Sequence, residues 1–335
     1  MDRSASVRRR LRTIPLVVLA WLVTVALLPV LLAAAVVVDA VRWSVRRTPW
    51  MAARIVTFVT AYLFAEVVGL VALFGVWVLA ACGRNRPRLE RSTFSVQRAW
   101  SGFVFWAVRT VFSLRFDVEG LEAVQPEPYL IFSRHASIVD NLLPSQFITR
   151  PFGTHIRYVM KRELLGDPAL DVAGSRLPNA FIRRGSGEGD REIASIKALA
   201  ASLGPGEAVL IYPEGTRFTP EKLEIARRRL ERSSPRLAGI AGGLRHVLPP
   251  RLGGPLALLE SCAADVVVLA HRGLDGFARV ADIWRGGMVR TRVTVRFHRV
   301  PRSEIPDDRA DRAEWLFGVW QDIDDWVGRP APVRA

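Results

Sequence analysis

Two long apolar segments near the N-terminus restrict the fold of this 335-residue chain more than any other feature. Ile14 to Val38 contains no charged side chain, and Ile55 to Cys82 is interrupted only by Glu66. A helix needs about 20 apolar residues to cross the hydrocarbon core of a bilayer. Both segments are too long for the apolar part of a signal peptide. We therefore predict two membrane helices, which either span the bilayer or dip into one leaflet.

Glu66 is the acidic residue inside the second apolar segment. Acids within membrane helices are either functional or paired with another group. The sequence favours an interfacial position for this residue or an arginine of the neighbouring helix as its partner, with a functional role as the alternative.

The net charge of +15 is concentrated near the apolar segments, since residues 1–100 hold fourteen basic and four acidic side chains. The arginines flank both segments and the turn between them: Arg8, Arg9, Arg10, Arg12, Arg42, Arg46, Arg47, Arg54, Arg84, Arg86, Arg88 and Arg91. This pattern favours a surface of anionic lipid. Nucleic-acid binding is disfavoured because no basic stripe alternates with stacking aromatic residues.

The use of cysteine and of basic residues indicates the compartment. Cys82 and Cys262 give neither a disulfide framework nor the spacing of metal ligands, so we expect a reducing compartment and no metal site. Lysine is rare beside arginine, which suggests a GC-rich bacterial genome. We expect the protein in the bacterial inner membrane, with the part of the chain after the apolar segments on the cytoplasmic side.

After the apolar segments, short buried runs alternate with helical patterns. The predicted strands are Leu114–Val118, Tyr129–Phe132, Arg157–Met160, Ala180–Ile182, Ala208–Tyr212, Asp265–Ala270 and Arg292–Phe297. The predicted helices are Ser137–Ile148, Asp190–Ser202, Pro220–Glu231 and Pro255–Cys262. Such alternation predicts an α/β fold, a mostly parallel sheet flanked by helices and preceded by an N-terminal two-helix membrane hairpin.

The domain organisation follows from the same patterns. Residues 1–98 are predicted to form a membrane anchor, and residues 99–330 a second domain. Gly83 to Ser95 is interpreted as a polar linker between them. Trp100 to Leu114 has apolar residues at helical spacing, and this helix lies either at the lipid headgroups or on the core of the second domain. The arginine-rich segment Arg227 to Arg236 is interpreted as a solvated or lipid-facing helix surface.

A histidine and an aspartate lie five residues apart in RHASIVDNLLP, Arg134 to Pro144. On an ideal helix five residues turn about 500°, so His135 and Asp140 would not share a face. They can meet only if the backbone changes direction between them. Ser137, followed by an acid three residues later, is typical of a helix N-cap. His135 would then lie in a strand-to-helix turn, where an acid can orient its ring as a general base.

The segment LIYPEGTRF, Leu210 to Phe218, ends a second buried strand in a turn. Gly215 lets the backbone approach a ligand, Thr216 offers a hydroxyl, and Arg217 supplies a planar guanidinium that matches phosphate oxygens. Glu214 would repel a phosphate, so we expect it to hold an arginine in place. The segment predicts a phosphate-binding turn at the end of a strand.

These two motifs, HASIVD followed by PEGTR, resemble the signature of the glycerolipid acyltransferases, the family of 1-acylglycerol-3-phosphate O-acyltransferases. The segment Met160 to Gly185 resembles the block that this family has between them. The segments EGTRFTPEK, LRHVLPPRLGG and AEWLFGVWQDIDDW resemble the version of the family with a longer block after EGTR and a closing Trp-Leu helix. The resemblance covers about Leu114 to Trp326, and it implies an acyltransferase domain over residues 99–330.

Carried over residue by residue, the resemblance implies catalytic roles for His135 as general base and Asp140 as the residue that orients it. The residues that it implies at the acceptor phosphate are Glu214, Gly215, Thr216, Arg217, Lys161, Arg183 or Arg184, and Arg251. For Lys161 and Arg183 the alternative is a surface ion pair, the commoner fate of an isolated basic residue.

The implied reaction moves a fatty acyl group from acyl-CoA or acyl carrier protein to the free glycerol hydroxyl of lysophosphatidic acid. It requires no cofactor, because the acceptor is itself the nucleophile. Lysophosphatidylglycerol, lysophosphatidylinositol and lysocardiolipin are alternative acceptors, since all carry a phosphate. A non-catalytic anionic-lipid-binding protein would not need both His135 and Asp140. A lipase would need a nucleophile elbow or metal ligands, which the motifs do not provide.

Arg134 is a departure from the family pattern, which usually has Asn before the histidine. We expect a cation at this position to alter the choice of headgroup or to depress the pKa of the neighbouring imidazole.

Overall fold

The computed structural model describes residues 3–183, 189–277 and 280–329. The helices are α1 (Arg3–Arg46), α2 (Ala52–Leu79), α3 (Arg86–Val111), α4 (Arg150–Phe152), α5 (Pro168–Gly174), α6 (Gly189–Ala201), α7 (Pro220–Ser233), α8 (Pro235–Ala241), α9 (Gly253–Ser261), α10 (Val280–Ile283) and α11 (Arg309–Gly328). The strands are β1 (Arg115–Glu119), β2 (Tyr129–Ser133), β3 (His155–Lys161), β4 (Ala180–Ile182), β5 (Glu207–Ile211), β6 (Asp265–Arg272) and β7 (Arg292–Val300).

Within the described residues the seven strands form one sheet, in the order β1-β7-β6-β2-β5-β3-β4. Neighbouring strands are parallel except β6 and β7, which are antiparallel. The predicted α/β fold with a mostly parallel sheet is confirmed. Each predicted strand is present, with ends that differ by at most three residues.

Helices cover both faces of the sheet. Side chains alternate between the two faces along each strand, so each central strand contributes to two cores. On β2, Leu130 and Phe132 belong to a core that includes Trp320 of α11. Tyr129 and Ile131 belong to the core on the opposite face, which includes residues of α3. Residues buried on both faces give the nearly continuous apolar runs that predicted the central strands.

The helices α1 and α2 are long and apolar enough to cross a membrane. The turn between them is fixed by Asp39, which is 1% exposed. Its carboxylate accepts hydrogen bonds from the backbone N–H groups of Met51, Ala52 and Ala53, each at 2.9 Å. An acid at a helix N-terminus stabilises the first turn through these unpaired donors. The two helices therefore form a capped hairpin.

The hairpin is tied to the rest of the fold through α5. Arg9 makes a bidentate contact with Asp171, with both N–O distances at 2.8 Å. Arg10 donates to the same carboxylate at 3.0 Å. Burial alone would raise the pKa of Asp171, but hydrogen bonds and charges from both arginines outweigh it and lower this pKa. Part of the basic flank of α1 thus makes an internal contact, which the sequence did not predict.

Glu66 is fully buried in α2, and its hydrogen-bond partners among the described residues do not include an arginine, which was one of the two alternatives expected for it. Its carboxylate accepts hydrogen bonds from the indole N–H of Trp100 at 3.1 Å and from the backbone N–H of Ala169 at 3.2 Å. It therefore joins α2 to α3 and to the first turn of α5.

The interpretation of Gly83 to Ser95 as a linker is also wrong, since α3 begins at Arg86. The side chain of Asn85 caps this helix by accepting from the backbone N–H of Arg88 at 3.1 Å, and Pro87 suits the first turn. The predicted helix Trp100–Leu114 is the second half of α3. It packs on the core of the second domain, and the predicted boundary after residue 98 falls inside the helix.

The single helix predicted at Ser137–Ile148 is instead a series of short turns. A 3₁₀ turn covers Val139–Leu142, a π-helical turn covers Ser145–Thr149, and α4 follows. The hydroxyl of Ser137 accepts from the backbone N–H of Val139 at 3.2 Å, a local turn contact just before the helical residues. The other predicted helices correspond to α6, α7 and α9, while α5, α8 and α10 were not predicted.

Candidate active site

The predicted site residues lie at one edge of the sheet. His135 is two residues beyond β2, Glu214 is three residues beyond β5, Lys161 is the last residue of β3, and Arg183 follows β4. These four strands are parallel neighbours, so their carboxyl ends share one edge. With about 4.8 Å between strands, β3 lies about 10 Å and β4 about 15 Å from β2.

The imidazole of His135 contacts the carboxylate of Asp140, the residue predicted to orient it. Nδ1 lies 3.1 Å from Oδ1 and 3.3 Å from Oδ2 of Asp140. The same Oδ2 accepts the backbone N–H groups of Ala136 and Ser137, each at 2.8 Å. Asp140 is fully buried and His135 is 9% exposed, so the ring is held from the protein side. With the Nδ1 proton directed at the carboxylate, Nε2 is the ring atom that can accept a proton.

The charge state of Asp140 suits this role. Burial alone would raise its pKa, but the charges and hydrogen bonds of His135 and His271 outweigh burial and hold the pKa of Asp140 well below its ordinary range. Asp140 is therefore ionised at neutral pH, and it can stabilise an imidazolium that forms on His135.

Glu214 does not hold an arginine, contrary to the prediction. Its Oε1 accepts the backbone N–H of His135 at 2.8 Å, and its Oε2 accepts the backbone N–H of Leu248 at 3.0 Å. The side chain is 1% exposed. Burial raises the pKa of Glu214 to about 8, although the charge of Arg134 and the two backbone donors oppose the rise. Both oxygens face the protein interior, so Glu214 positions the backbone of His135 and does not face a phosphate.

The residues after Glu214 form a braced turn. Gly215 has φ of +72°, in the left-handed region that glycine adopts without strain. The ammonium of Lys222 donates to the hydroxyl of Thr216 at 3.1 Å and to the carbonyl of Arg217 at 2.9 Å. The guanidinium of Arg217 has no hydrogen bond or ion pair among the residues that the structure describes, and this leaves it available for an external anion.

The backbone of His135 is joined to this turn on both sides. Its N–H donates to Glu214, and its carbonyl accepts the backbone N–H of Phe218 at 2.8 Å. Phe218 directly follows Arg217. The ring of Tyr212 also lies against the imidazole, with 4.4 Å between ring centroids. The two motifs, which are far apart in sequence, are therefore neighbours in space.

Arg134 points away from the acceptor side of the site. It is fully buried, its Nη2 donates to the carbonyl of His246 at 2.8 Å, Nη1 donates to the carbonyl of His271, and the guanidinium pairs with Asp275. The partners of the two side chains differ, since the guanidinium of Arg134 binds the carbonyls of His246 and His271 while the imidazole of His135 contacts Asp140. The guanidinium of Arg134 is therefore held by backbone carbonyls and by Asp275, and the expected effect of this cation on the choice of headgroup stays a prediction.

The remaining predicted phosphate ligands that the structure describes lie farther from His135 along the sheet or on a neighbouring loop. Lys161 ends β3 and Arg183 follows β4, at increasing distance from β2 along the same edge. The backbone N–H of Arg251 donates to the carbonyl of Pro213 at 2.9 Å, which brings its loop next to Glu214. Arg184 lies outside the described residues.

Sequence reasoning missed three side chains that build the site. The fully buried His271 on β6 has Nε2 at 3.4 Å from Oδ2 of Asp140. Lys222 braces the EGTR turn. Asp324 of α11 accepts the backbone N–H groups of Arg245 and Val247, among others, and so holds the loop that reaches Glu214. His271 could have been predicted as a site residue, because it lies at the carboxyl end of a strand of the sheet. The sequence around Asp324 gives no indication of its contact with the loop.

The arrangement combines a proton acceptor and a cation at one edge of the sheet. Nε2 of His135 can take a proton from a hydroxyl, Asp140 stabilises the resulting charge, and the guanidinium of Arg217 can hold an anionic group nearby. This chemistry fits transfer of a group to the hydroxyl of a phosphorylated alcohol.

Comparison with known proteins finds similarity to acyltransferases. A sequence model of the Acyltransferase family matches residues 115–247. The 1-acyl-sn-glycerol-3-phosphate acyltransferase of Pseudomonas aeruginosa is 34% identical over 136 residues, which are 39% of this chain and 49% of that protein. The 1-acyl-sn-glycerol-3-phosphate acyltransferase epsilon of Mus musculus is 23% identical over 203 residues, 57% of this chain and 54% of that protein. The chain thus spans about half the length of the curated relatives it matches.

A solved structure resembles a larger part of the chain. The crystal structure of the 1-acyl-sn-glycerophosphate (LPA) acyltransferase from Thermotoga maritima has a TM-score of 0.54 and 15% sequence identity to this chain. The similarity covers 83% of this chain and 99% of that one. At this identity the likeness concerns the fold.

Proposed function

We propose that the protein transfers a fatty acyl group from an acyl thioester to lysophosphatidic acid, giving phosphatidic acid. The match of residues 115–247 to the Acyltransferase family and the similarity to 1-acyl-sn-glycerol-3-phosphate acyltransferases support this reaction. The observation that carries the proposal is the contact of His135 with Asp140, on a backbone that is hydrogen-bonded on both sides to the EGTR turn.

His135 acts as general base. Its Nε2 removes the proton of the glycerol hydroxyl as the hydroxyl oxygen attacks the carbonyl carbon of the thioester. The tetrahedral intermediate collapses with cleavage of the carbon–sulfur bond, and the thiolate takes the proton from the imidazolium. Asp140 stabilises that imidazolium throughout, and a positioned base of this kind contributes typically about 10²- to 10⁴-fold in rate.

Arg217 binds the phosphate of the acceptor. Its position next to Phe218, whose N–H binds the carbonyl of His135, supports a phosphate held within reach of the base. Thr216 adds a hydroxyl, Lys161 can approach from the end of β3, and Glu214 acts by holding the backbone. A guanidinium matches two phosphate oxygens with two parallel hydrogen bonds, which fixes the orientation of the headgroup.

The hairpin delivers the acceptor. We assign α1 and α2 to a membrane anchor and the fold from α3 onward to the catalytic domain, in the bacterial inner membrane with the domain on the cytoplasmic side. Two observations support this assignment. Helices α1 and α2 are long and apolar enough to cross a bilayer, and Arg9 and Arg10 of α1 bind Asp171 of α5, which would hold this edge of the sheet beside the lipid. The lysolipid then keeps its acyl chain in the bilayer while its headgroup enters the site.

The proposal is tested with purified full-length protein in mixed micelles. Labelled acyl-CoA and labelled acyl carrier protein are each offered with lysophosphatidic acid, lysophosphatidylglycerol, lysophosphatidylinositol and lysocardiolipin. We expect phosphatidic acid to form fastest. Preference for another lysolipid would change the acceptor and keep the chemistry, whereas no transfer to any of the four would refute the proposed activity.

A further inference from the structure

One face of α7 is exposed and cationic. Ile225, Arg228, Arg229 and Arg232 are spaced so that they share one side of the helix. Ile225 is 67% exposed, and the three arginines are exposed as well. Together with Ser233 they line a shallow concavity of about 430 Å³. We call these residues the α7 arginine face.

The three arginines of this face lack internal partners. None of their guanidinium groups forms an ion pair or hydrogen bond with the part of the chain that the structure describes. Arg227, on the neighbouring side of the helix, instead pairs with Glu224 at 2.9 Å and donates to the carbonyl of Gly242. Like charges three and four residues apart destabilise a helix. Three neighbouring arginines without an acidic partner in the described part of the protein indicate a binding partner that supplies the acidic groups.

The position of α7 in the fold argues against lipid as that partner. Leu223 of α7 packs in the same core as Trp320 of α11. Ile55 of α2 packs with Phe105 of α3 in the core on the other face of the sheet. The α7 arginine face therefore lies on the layer of helices away from the hairpin, where a water-soluble partner has access.

The same face is connected to the candidate active site. α7 begins two residues after Phe218, and its residue Lys222 braces the EGTR turn. Arg229 is close enough to Arg251 that its charge, after burial, contributes to lowering the pKa of Arg251. With a rise of about 1.5 Å per residue, Arg228 lies about 12 Å along the helix from its first residue. A partner bound here would be within the reach of a flexible arm from His135.

We infer that the α7 arginine face is the docking surface for an acidic carrier protein that presents the acyl group as a thioester on a flexible arm. The inference rests on the proposed function, which requires an acyl thioester. A free nucleotide thioester is disfavoured because the concavity is shallow and lined by a single helix, so it would leave most of the surface of a small ligand exposed, whereas small-molecule sites bury most of that surface. Here the side chains stand on a helix surface with Ile225 protruding at its edge, which suits a protein interface guided by complementary charge.

The test compares two acyl donors with one acceptor. Initial rates with lysophosphatidic acid are measured with palmitoyl-[acyl carrier protein] and with palmitoyl-CoA, for the wild type and for the variant Arg228→Glu/Arg232→Glu. The matched control is Arg109→Glu/Arg115→Glu, an equal change of charge at exposed arginines of α3 and β1. Binding of the unacylated carrier protein and of vesicles containing phosphatidylglycerol is measured for the same three proteins.

We expect kcat/KM with the carrier donor to fall at least about tenfold in the α7 variant, while the rate with palmitoyl-CoA stays within about twofold and the control keeps both. Carrier binding should weaken in parallel. Equal loss with both donors, no loss with the carrier, or loss of vesicle binding instead of carrier binding would overturn the inference. Wild-type transfer from palmitoyl-CoA alone would overturn it and leave the proposed function standing, whereas transfer from neither donor would overturn both.

Discussion

Replacing Asp140 by Asn separates two roles of this side chain. Oδ2 accepts the backbone N–H groups of Ala136 and Ser137 at 2.8 Å, whereas Oδ1 is the oxygen nearer Nδ1 of His135, at 3.1 Å. An Asn with its oxygen in the place of Oδ2 keeps both backbone hydrogen bonds and turns its NH₂ group toward Nδ1. Nδ1 must then accept, the ring proton moves to Nε2, and Nε2 can no longer take a proton from the acceptor.

The expected loss in kcat is about 10²- to 10⁴-fold, the usual contribution of a positioned base, which corresponds to about 3 to 5 kcal/mol of transition-state stabilisation. The cost in unfolding free energy is smaller, about 1 to 3 kcal/mol, because one charge-assisted hydrogen bond changes while the turn persists. Asp140→Ala is the contrast, since it removes the acceptor of both backbone N–H groups and should destabilise the fold more.

The assay is the steady-state rate of phosphatidic acid formation, measured together with thermal unfolding in the same detergent. The Asn variant should lose kcat with little change in the KM for lysophosphatidic acid. A kcat close to that of the wild type, in a variant that remains folded, would refute the orienting role of Asp140.

Three further predictions concern residues around the base. Arg217→Ala should raise the KM for lysophosphatidic acid about 10- to 100-fold, because a charge-assisted contact to phosphate contributes about 1.5 to 3 kcal/mol. Initial rates measured with each substrate varied in turn test this prediction. An effect confined to the KM for the acyl donor would contradict it. Glu214 has a folded-state pKa raised from 4.5 to about 8, so the folded protein retains a proton that the unfolded chain releases, and its unfolding free energy should fall as pH rises between these values. In thermal unfolding at several pH values, Glu214→Gln should weaken this dependence, and an identical pH profile would contradict the assignment. Arg134→Met should lower the free energy of unfolding by about 2 to 4 kcal/mol, because it removes a fully buried guanidinium that binds the carbonyls of His246 and His271 and pairs with the partly exposed Asp275. It should leave the acceptor preference unchanged, and an altered preference in the lysolipid panel would contradict this assignment.

The sequence predicted the parts of the fold whose signals are local. Buried strands such as Tyr129–Ser133 and Glu207–Ile211 are short apolar runs between turn residues, and each was placed within a residue of its observed ends. The sequence pattern divided α3 into a linker and a shorter helix, because the first turns of α3 are polar. Its capping residue Asn85, followed by Pro87, was the available signal that a helix begins there.

The sequence predicted which residues meet at the site better than it predicted what supports them. A change of backbone direction after the strand allowed His135 and Asp140 to meet, and the resemblance of the two motifs to the acyltransferases implied that they do; the structure brings the two side chains together. Glu214 was assigned an arginine partner since charge suggested one, but the structure gives it two backbone N–H groups from segments distant in sequence. The partners of Arg134 could not be predicted, because His246, His271 and Asp275 are all more than 100 residues away in sequence.

The central claim is that the imidazole of His135 removes the proton of the lysolipid hydroxyl while the EGTR turn holds its phosphate. The most direct test is the single-turnover rate of acyl transfer to lysophosphatidic acid by His135→Ala, with acceptor binding measured in parallel and His298→Ala, at an exposed histidine of β7, as the matched control. The account predicts a fall of at least about 10²-fold with acceptor binding preserved and a control at the wild-type rate. A rate for His135→Ala within a fewfold of wild type would contradict it.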